Sequence, residues 1–193
     1  MTNDPNLIAD KEYLITKYDE FGRIAYTGKY YGQYYYPSRA MFQSSSNLST
    51  SPQYETVDSP INLGGTTLYY TNNAFPFSGI SVVLTINYYD TYTDLPSGFT
   101  APVTVFGQQV TTNTKGLPTV KKVRVLNTNN WITTVTHYDE KGRAIHVYSI
   151  KDYLQTNTIV ESKLDFSGNI LETKTTHKKV GKADIITEDK FTY

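Results

Sequence analysis

Three histidines are the residues of this chain best suited to proton transfer or metal binding. His137, His146 and His177 all fall within stretches that we predict to be β-strands. Neither a His-x-x-His nor a His-Glu-x-x-His spacing occurs, so the pattern gives no indication of a zinc site. His137 and His146 flank one predicted hairpin and can meet across it, and we expect an ordinary, partly exposed pair there. The chain also has no cysteine, which excludes disulfides and thiolate chemistry. We therefore predict no metal and no cofactor.

Two pairs of acidic residues are the remaining candidates for acid–base chemistry. They are Asp139-Glu140 and Glu188-Asp189. Glycosidase carboxylates face each other across a cleft, whereas Asp139-Glu140 lies in a predicted turn that already explains the aspartate. The sequence contains neither a Gly-x-Ser-x-Gly elbow nor a phosphate loop, and Gly64-Gly65 is an isolated turn pair. We predict no catalytic residues and no enzymatic activity, with a hydrolase as the weakest of three functional alternatives.

A tyrosine-aspartate-x-x-glycine motif occurs twice almost unchanged and a third time in a degenerate form. Aspartate at the first position of a type I turn accepts bonds from the following backbone N–H groups. Glycine then adopts the left-handed conformation, which completes the common three-residue hairpin connection. We expect Gly22, Gly142 and Gly168 to have positive φ. The motif residues are Tyr18, Asp19, Gly22 and Arg23, then Tyr138, Asp139, Gly142 and Arg143, and finally Asp165 and Gly168.

The arginines of the motif begin the outgoing strands. Arg23 and Arg143 can each place a guanidinium against a carboxylate such as the turn aspartate. A ligand site built from Tyr, Asp and Arg is the alternative interpretation of these residues. We favour turn architecture, because residues that recur in repeated units usually contribute to stability.

The motif resembles the YD repeat of the Rhs, wall-associated protein and teneurin class, whose core is Tyr-Asp-x-x-Gly-Arg. Residues 18–23 and 138–143 match that core, whereas the third copy has Leu164 and Asn169 in place of Tyr and Arg. The stretch from Trp131 to Tyr193 is similar to Rhs-type surface proteins of Bacteroidetes. The resemblance implies repeats that coil into a β-sheet shell around a C-terminal toxin or effector. The partners it implies are flanking repeats of a longer chain and a toxin domain.

Composition and charge restrict the remaining classes of function. Lys and Arg together number 18, as do Asp and Glu, and this zero net charge argues against a nucleic-acid partner. No run approaches the roughly 18 apolar residues of a membrane span. The N-terminal ten residues lack signal-peptide character. We expect a cell-surface or secreted location, as an internal piece of a longer precursor.

The predicted fold is all-β and forms a single domain over residues 1–193. It comprises a first hairpin (1–32), an irregular, loop-rich and Tyr-rich insertion with short strands (33–118), and an antiparallel hairpin meander (119–193). Abundant Tyr, Thr and Val favour strands. The meander has six predicted strands: Thr119–Leu126, Trp131–Tyr138, Arg143–Ile150, Thr158–Leu164, Asn169–His177 and Ala183–Thr192.

The insertion is predicted in less detail. Ser44 to Ser51 is polar and of low complexity, so we predict a loop there. Residues 52–78 contain several Pro and Gly residues and are predicted to be mostly loop, with one strand near 67–71. Residues 81–89 alternate in hydrophobicity and predict a strand that places four side chains on one face. Those four are Val82, Leu84, Ile86 and Tyr88.

Tyrosine clusters support the second functional alternative. They lie at Tyr30 to Tyr36, Tyr69-Tyr70 and Tyr88-Tyr89. Exposed aromatic rings stack on sugars, so the alternative is a carbohydrate- or cell-surface-binding module with a glycan partner. We favour packing, because aromatic side chains commonly fill sheet surfaces when aliphatic residues are scarce.

Overall fold

The computed structural model describes residues 12–31 and 38–193, and these residues form an antiparallel β fold, as predicted. Tyr34, Tyr35 and Tyr36 of the first tyrosine cluster lie outside the described residues. One helix, α1, spans Arg39–Leu48, and a single 3-10 turn spans Asp152–Leu154. The strands are β1 (Glu12–Tyr18), β2 (Ile24–Tyr31), β3 (Val57–Leu63), β4 (Thr66–Tyr70), β5 (Ile80–Asp90), β6 (Thr104–Val105), β7 (Gln108–Gln109), β8 (Thr114–Arg124), β9 (Trp131–Tyr138), β10 (Ala144–Lys151), β11 (Thr156–Leu164), β12 (Ile170–Lys179) and β13 (Ile185–Lys190).

Contacts divide the chain into two compact units that meet in sequence between Ile86 and Asn87, within β5. The first unit contains β1 to β4, α1 and the first part of β5. The second contains the end of β5 and β6 to β13. The boundaries predicted at residues 33 and 119 stay a prediction.

The first unit is organised around the β1–β2 hairpin, which lies within the predicted first hairpin of residues 1–32. β2 pairs on its other side with β5, and this ladder is interrupted by two bulges. At one bulge Gly28 lies so close to β5 that a Cβ there would stand 2.6 Å from the carbonyl oxygen of Val82. Glycine is therefore required by the close approach of two backbones.

The bulges also change which side chains of β5 are buried, so the prediction for this strand was partly wrong. Alternation would bury Val82, Leu84, Ile86 and Tyr88 together, but Val83 is buried and Val82 is not. An extra residue in one strand reverses the side-chain alternation beyond it. Ile86 and Tyr88 are buried as predicted, so the prediction was right only downstream of the bulge.

Residues 52–78 contain a second hairpin where one strand was predicted. β3 and β4 are joined by Gly64 and Gly65, whose φ values of 53° and 71° suit a two-residue turn. The pair is thus a hairpin turn. β3 was not predicted because Pro60 lies within it and proline argues against a strand. It lies where the pairing shifts between Val57 and Ile61, which is a position that tolerates a missing N–H.

Helix α1 replaces the first five residues of the loop predicted at Ser44–Ser51, because the helix continues to Leu48. The helix begins after Ser38, whose hydroxyl accepts a 3.3 Å hydrogen bond from the backbone N–H of Met41. Serine is a favoured N-cap, and Ala, Met and Gln in the first half of the helix are good helix formers. The serine run alone carried no helical signal, so low complexity was misread as a loop.

Aromatic packing provides the stabilisation that the helix sequence lacks. The ring of Phe42 stacks on Tyr13 at 5.4 Å between centroids and contacts Tyr30 at 4.8 Å and Phe75 at 5.3 Å. Short helices draw most of their stability from such tertiary contacts. The helix is therefore attached to the first hairpin by one aromatic side chain.

The second unit contains the predicted meander. β8 to β13 pair consecutively and antiparallel, which confirms all six predicted strands. β8 begins at Thr114 rather than at the predicted Thr119. The prediction started late because Gly116 and Pro118 are residues that argue against a strand. The buried apolar residues of this unit are Tyr88, Val105, Val120, Val135, Tyr138 and Ile145.

Burial decreases along the meander. β9 and β10 supply several fully buried side chains, β11 is half-buried throughout, and every residue of β13 is exposed. Ile185, for example, is 64% exposed. The last strands therefore have apolar side chains with little cover within this unit.

Candidate functional site: the Tyr-Asp hairpins

The first Tyr-Asp turn is held together by the carboxylate of Asp19. Its Oδ1 accepts from the backbone N–H groups of Phe21 at 3.0 Å and Arg23 at 2.8 Å. The backbone N–H of Gly22 donates to the Asp19 carbonyl at 3.0 Å, and Gly22 has φ 76°. These are the bonds and the left-handed glycine that the sequence predicts.

The second turn repeats this pattern bond for bond. Oδ1 of Asp139 accepts from the backbone N–H groups of Lys141 and Arg143, both at 2.9 Å. Gly142 has φ 74°. Burial alone would raise the pKa of Asp139, but the hydrogen bonds from Arg143 and Lys141 outweigh it and lower that pKa below its usual value.

Both arginines pair with the turn aspartate, as predicted. Arg23 Nε lies 2.6 Å from Asp19 Oδ2, and Arg143 Nε lies 2.7 Å from Asp139 Oδ2. Arg143 also reaches the next turn, where its Nη1 donates to the carbonyl oxygen of Asp165 at 2.8 Å. One guanidinium thus joins two successive hairpins of the meander.

The third turn keeps the geometry with a shorter side chain. Asp165 Oδ1 accepts from the N–H groups of Gly168 at 2.7 Å and Asn169 at 2.9 Å, and Gly168 has φ 98°. The Asn169 amide donates to Asp165 Oδ2 at 2.9 Å, in the position that arginine occupies in the other turns. These bonds to Asn169, Gly168 and the Ser167 backbone lower the pKa of Asp165.

In each of the first two hairpins, another segment of the same chain crosses the hairpin and binds the tyrosine carbonyl; we call it the crossing chain. The backbone N–H of Glu55 donates to the carbonyl of Tyr18, and that of Thr111 donates to the carbonyl of Tyr138, both at 2.8 Å. The two tyrosine rings differ in burial. Tyr138 is buried and its hydroxyl donates to the carbonyl of Pro118, whereas Tyr18 is 44% exposed. The shared feature is therefore the backbone contact.

Beneath each turn lies a pair of facing side chains that we call the cross-strand pair. Its members stand two residues before and seven residues after the turn aspartate, on adjacent strands. The pairs are Lys17 with Tyr26, His137 with His146, and Lys163 with Glu172. The alternation of inward-facing residues in the strands could have identified these positions from the sequence, since the motif fixes their offsets.

The first cross-strand pair is the centre of a buried polar cluster. Lys17 is 2% exposed and Glu55 is fully buried, with Lys17 Nζ 2.9 Å from Glu55 Oε1. Lys17 Nζ also donates to the carbonyl of Ala74 and, at 3.2 Å, to Asn72 Oδ1. Burial lowers the pKa of Lys17, against the opposing effect of Glu55.

The carboxylate of Glu55 is fully supplied with donors. Oε2 accepts from the Thr71 hydroxyl at 2.7 Å and the Asn73 backbone N–H at 2.8 Å, and Oε1 accepts from the Ala74 N–H at 3.1 Å. Buried carboxylates are retained only with such partners. Glu55 had no motif or spacing that marked it in the sequence.

The second cross-strand pair consists of two histidines in contact. His137 Nδ1 lies 3.2 Å from His146 Nδ1, so the two meet across the hairpin as predicted. The expectation that they are partly exposed was wrong, because His137 is 1% and His146 6% exposed. The ring of Tyr92 stacks on His137 at 4.7 Å. Burial, followed by the charge of His146, lowers the pKa of His137 to about 4.

The tyrosine clusters differ in exposure. Tyr30, Tyr70 and Tyr88 are buried, so their rings are unavailable for stacking on a sugar, whereas Tyr31 is 38% exposed and Tyr69 and Tyr89 are half-buried. Within residues 12–31 and 38–193, no three His, Asp or Glu side chains cluster as metal ligands would. Among the same residues, no helix has the length and apolar character to cross a membrane.

No family model matches this chain, and neither a curated protein nor a solved structure matches it significantly. The resemblance to YD repeats therefore rests on the motif residues themselves. Their geometry shows that the motif builds hairpins, and the copy at 138–143 also bonds to the next hairpin.

Proposed function

We propose that the chain is a non-enzymatic structural segment of a larger Rhs- or YD-type protein at the cell surface or in the secreted fraction. Its role is to contribute β-sheet to a shell that encloses or presents a toxin or effector domain. The partners are flanking repeats and that domain. The observation that carries the proposal is the bond from Arg143 to the Asp165 carbonyl, because it converts a turn motif into a link between successive hairpins.

Lys141 supports the same role. Its Nζ donates to the carbonyl of Phe166 at 3.1 Å, so two side chains of one turn bind the backbone of the next. A motif with this property extends by repetition, as in other repeat architectures. The carboxylates of the turn aspartates are bound by backbone N–H groups and by an arginine or asparagine side chain, which leaves them poorly suited to catalysis.

The exposed strand β13 gives a second line of support. Ile185 and Ile186 are both exposed, and an exposed apolar edge strand tends to pair with another strand. In a longer chain the next hairpin would occupy this edge. In the isolated chain the edge should cause weak, concentration-dependent self-association.

Sedimentation of the isolated chain over a range of concentrations tests the edge. We expect oligomers that diminish in the Ile185→Lys/Ile186→Lys variant. The matched control is Val180→Lys, which alters an exposed apolar residue outside the strand and should leave the association unchanged. Equal association in all three proteins would contradict this use of β13.

The shell itself is tested on the complete coding region that contains this segment. We expect further Tyr-Asp-x-x-Gly hairpins beside it, and a C-terminal domain that resists limited proteolysis in the native protein but not after the shell is unfolded. A coding region without further hairpins, or a domain equally sensitive in both states, would overturn the proposal.

A further inference from the structure

Three side chains of the buried cluster in the first unit have the chemistry of an amide-forming site. Lys17 Nζ lies 3.2 Å from Asn72 Oδ1 and 2.9 Å from Glu55 Oε1. We propose that Lys17 and Asn72 form an intramolecular amide bond, with Glu55 carrying the protons and ammonia as the leaving group. The reaction occurs once, within the chain, and is independent of the proposed shell function.

The nucleophile requires a neutral amine. Lys17 is removed from solvent against a carboxylate that is itself fully buried. Separated charges are unfavourable in such a medium, so transfer of one proton from the ammonium to Glu55 gives a neutral amine beside a neutral acid. The pKa of Lys17 is lowered by burial, which acts in the same direction. Buried lysines activated in this way are recognised nucleophiles.

The electrophile is the side-chain amide of Asn72. Its carbonyl carbon is one bond of about 1.23 Å from Oδ1, so it lies at most about 4.4 Å from Lys17 Nζ. The Tyr26 hydroxyl donates to Asn72 Oδ1 at 3.1 Å. This bond polarises the carbonyl and remains to stabilise the negative charge that develops on Oδ1 during attack. Burial raises the pKa of Tyr26, so its proton is retained.

The step balances without a further reactant. The amine lone pair forms the new N–C bond, and the carbonyl π electrons move to Oδ1. Lys17 Nζ then gives up a proton to Glu55, and Glu55 passes a proton to Asn72 Nδ2. The C–N bond then breaks, its electron pair leaves with nitrogen as ammonia, and the carbonyl re-forms. Lys17 ammonium, Glu55 carboxylate and Asn72 amide thus give a Lys17–Asn72 amide, ammonia and a protonated Glu55.

The surroundings favour the product. A buried ion pair is retained at the cost of desolvating both charges, whereas the product holds a neutral amide and a neutral acid. The leaving nitrogen has an exit, because Asn72 Nδ2 donates to the carbonyl of Phe77 at 2.8 Å on the exposed side of the cluster. The Thr71 hydroxyl and two backbone N–H groups fix Glu55 for the proton transfers.

Intact-mass spectrometry of the full, folded chain is the decisive measurement. We expect a mass below that of the sequence by about 17 Da, the mass of the ammonia released. Trypsin should then yield fragment 12–23, uncut at Lys17, covalently joined to fragment 40–115. A folded chain that keeps the full mass, or that loses ammonia without joining these fragments, overturns the proposal. The second result would indicate a succinimide elsewhere.

Two neighbouring asparagines provide a matched pair of variants. Asn72→Ala removes the electrophile and should keep the full mass of its sequence. Asn73→Ala is the control, since Asn73 contributes only its backbone N–H to the cluster. It should lose ammonia as the parent chain does. Glu55→Gln should keep the full mass, because its amide cannot carry the protons. Loss of ammonia from Asn72→Ala would contradict the assignment, even if the parent chain also loses it.

Discussion

The first and second Tyr-Asp hairpins bury different side chains at the same two positions. Lys17 and Tyr26 lie beneath the first turn, and His137 and His146 lie beneath the second. The turn bonds agree within about 0.1 Å in both hairpins. The backbone of the hairpin therefore does not determine the chemistry of its cross-strand pair.

The crossing chain accounts for the difference. Glu55, which binds the carbonyl of Tyr18, brings a carboxylate to the first pair, so a lysine can be buried there. Thr111 binds the carbonyl of Tyr138 in the same way but has no charge to offer, and the second pair is neutral. In the third hairpin Lys163 and Glu172 form a half-buried ion pair at 3.8 Å. Each pair thus matches the electrostatic character of its cover.

Removal of Glu55 should produce the largest effect. Glu55→Ala leaves Lys17 buried without its counterion and leaves the N–H groups of Asn73 and Ala74 without their acceptor. We expect a loss of about 3–5 kcal/mol in the free energy of unfolding, measured by urea denaturation. This loss includes any contribution from an amide bond at Lys17.

The matched control for that variant is Glu20→Ala, an exposed position in the same hairpin. It should change the free energy of unfolding by less than about 0.5 kcal/mol. If the two variants were equally stable, the buried cluster would not be what distinguishes the first hairpin.

The histidine pair should make the second unit sensitive to acid. The pKa of His137 is about 4 in the folded protein, below its ordinary value of 6.5, so the unfolded chain binds a proton first as the pH falls. The stability is present above pH 6.5 and is lost between pH 6.5 and about 4. We expect this loss to be roughly 1–3 kcal/mol.

Urea midpoints at pH 7 and pH 4.5 measure the effect. In His137→Leu/His146→Leu the difference between the two midpoints should shrink, because other acid-sensitive groups contribute equally to parent and variant. An unchanged difference would show that the pair does not control the acid response.

The features that could be predicted from the sequence are those determined by residues close together in the chain. The three turns, their left-handed glycines, the aspartate–arginine pairs and the six meander strands follow from motifs and alternation. Helix α1, the facing of β5 and Glu55 do not. Each depends on a tertiary contact: Phe42 against Tyr13, the bulge opposite Gly28, and the crossing of residue 55 over the first hairpin. No local pattern encodes those contacts.

The turn glycines should behave alike in both hairpins. An added Cβ at Gly22 meets nothing within 4 Å, and one at Gly142 meets only Leu117 at ordinary contact distance. The cost of Gly22→Ala or Gly142→Ala is therefore backbone strain alone, about 1 kcal/mol each. Asparagine tolerates the left-handed region better, so Gly22→Asn should cost less than Gly22→Ala. Unequal costs for the two alanine variants in thermal unfolding would show that the turns are not equivalent.

The last comparison between the hairpins is the effect of replacing their arginines. Arg143→Lys loses the fork that binds Asp139 and, at the same time, the 2.8 Å bond to the Asp165 carbonyl. Lysine offers a single point charge and cannot bind both groups in that geometry. We expect a cost of about 1 kcal/mol.

Arg23→Lys is the matched variant in the first hairpin. Its 2.6 Å bond to Asp19 lies within one turn, and its guanidinium stacks 4.9 Å from the ring of Phe21. Arg23→Lys removes the guanidinium of the first hairpin and leaves the bond from Arg143 to the Asp165 carbonyl intact. Amide hydrogen exchange at Asp165 to Gly168 gives the sharper measurement. Arg143→Lys should accelerate exchange in that turn, whereas Arg23→Lys should not. If both variants left that exchange unchanged, the arginine would stabilise only its own turn, and the link between hairpins would lose its physical basis.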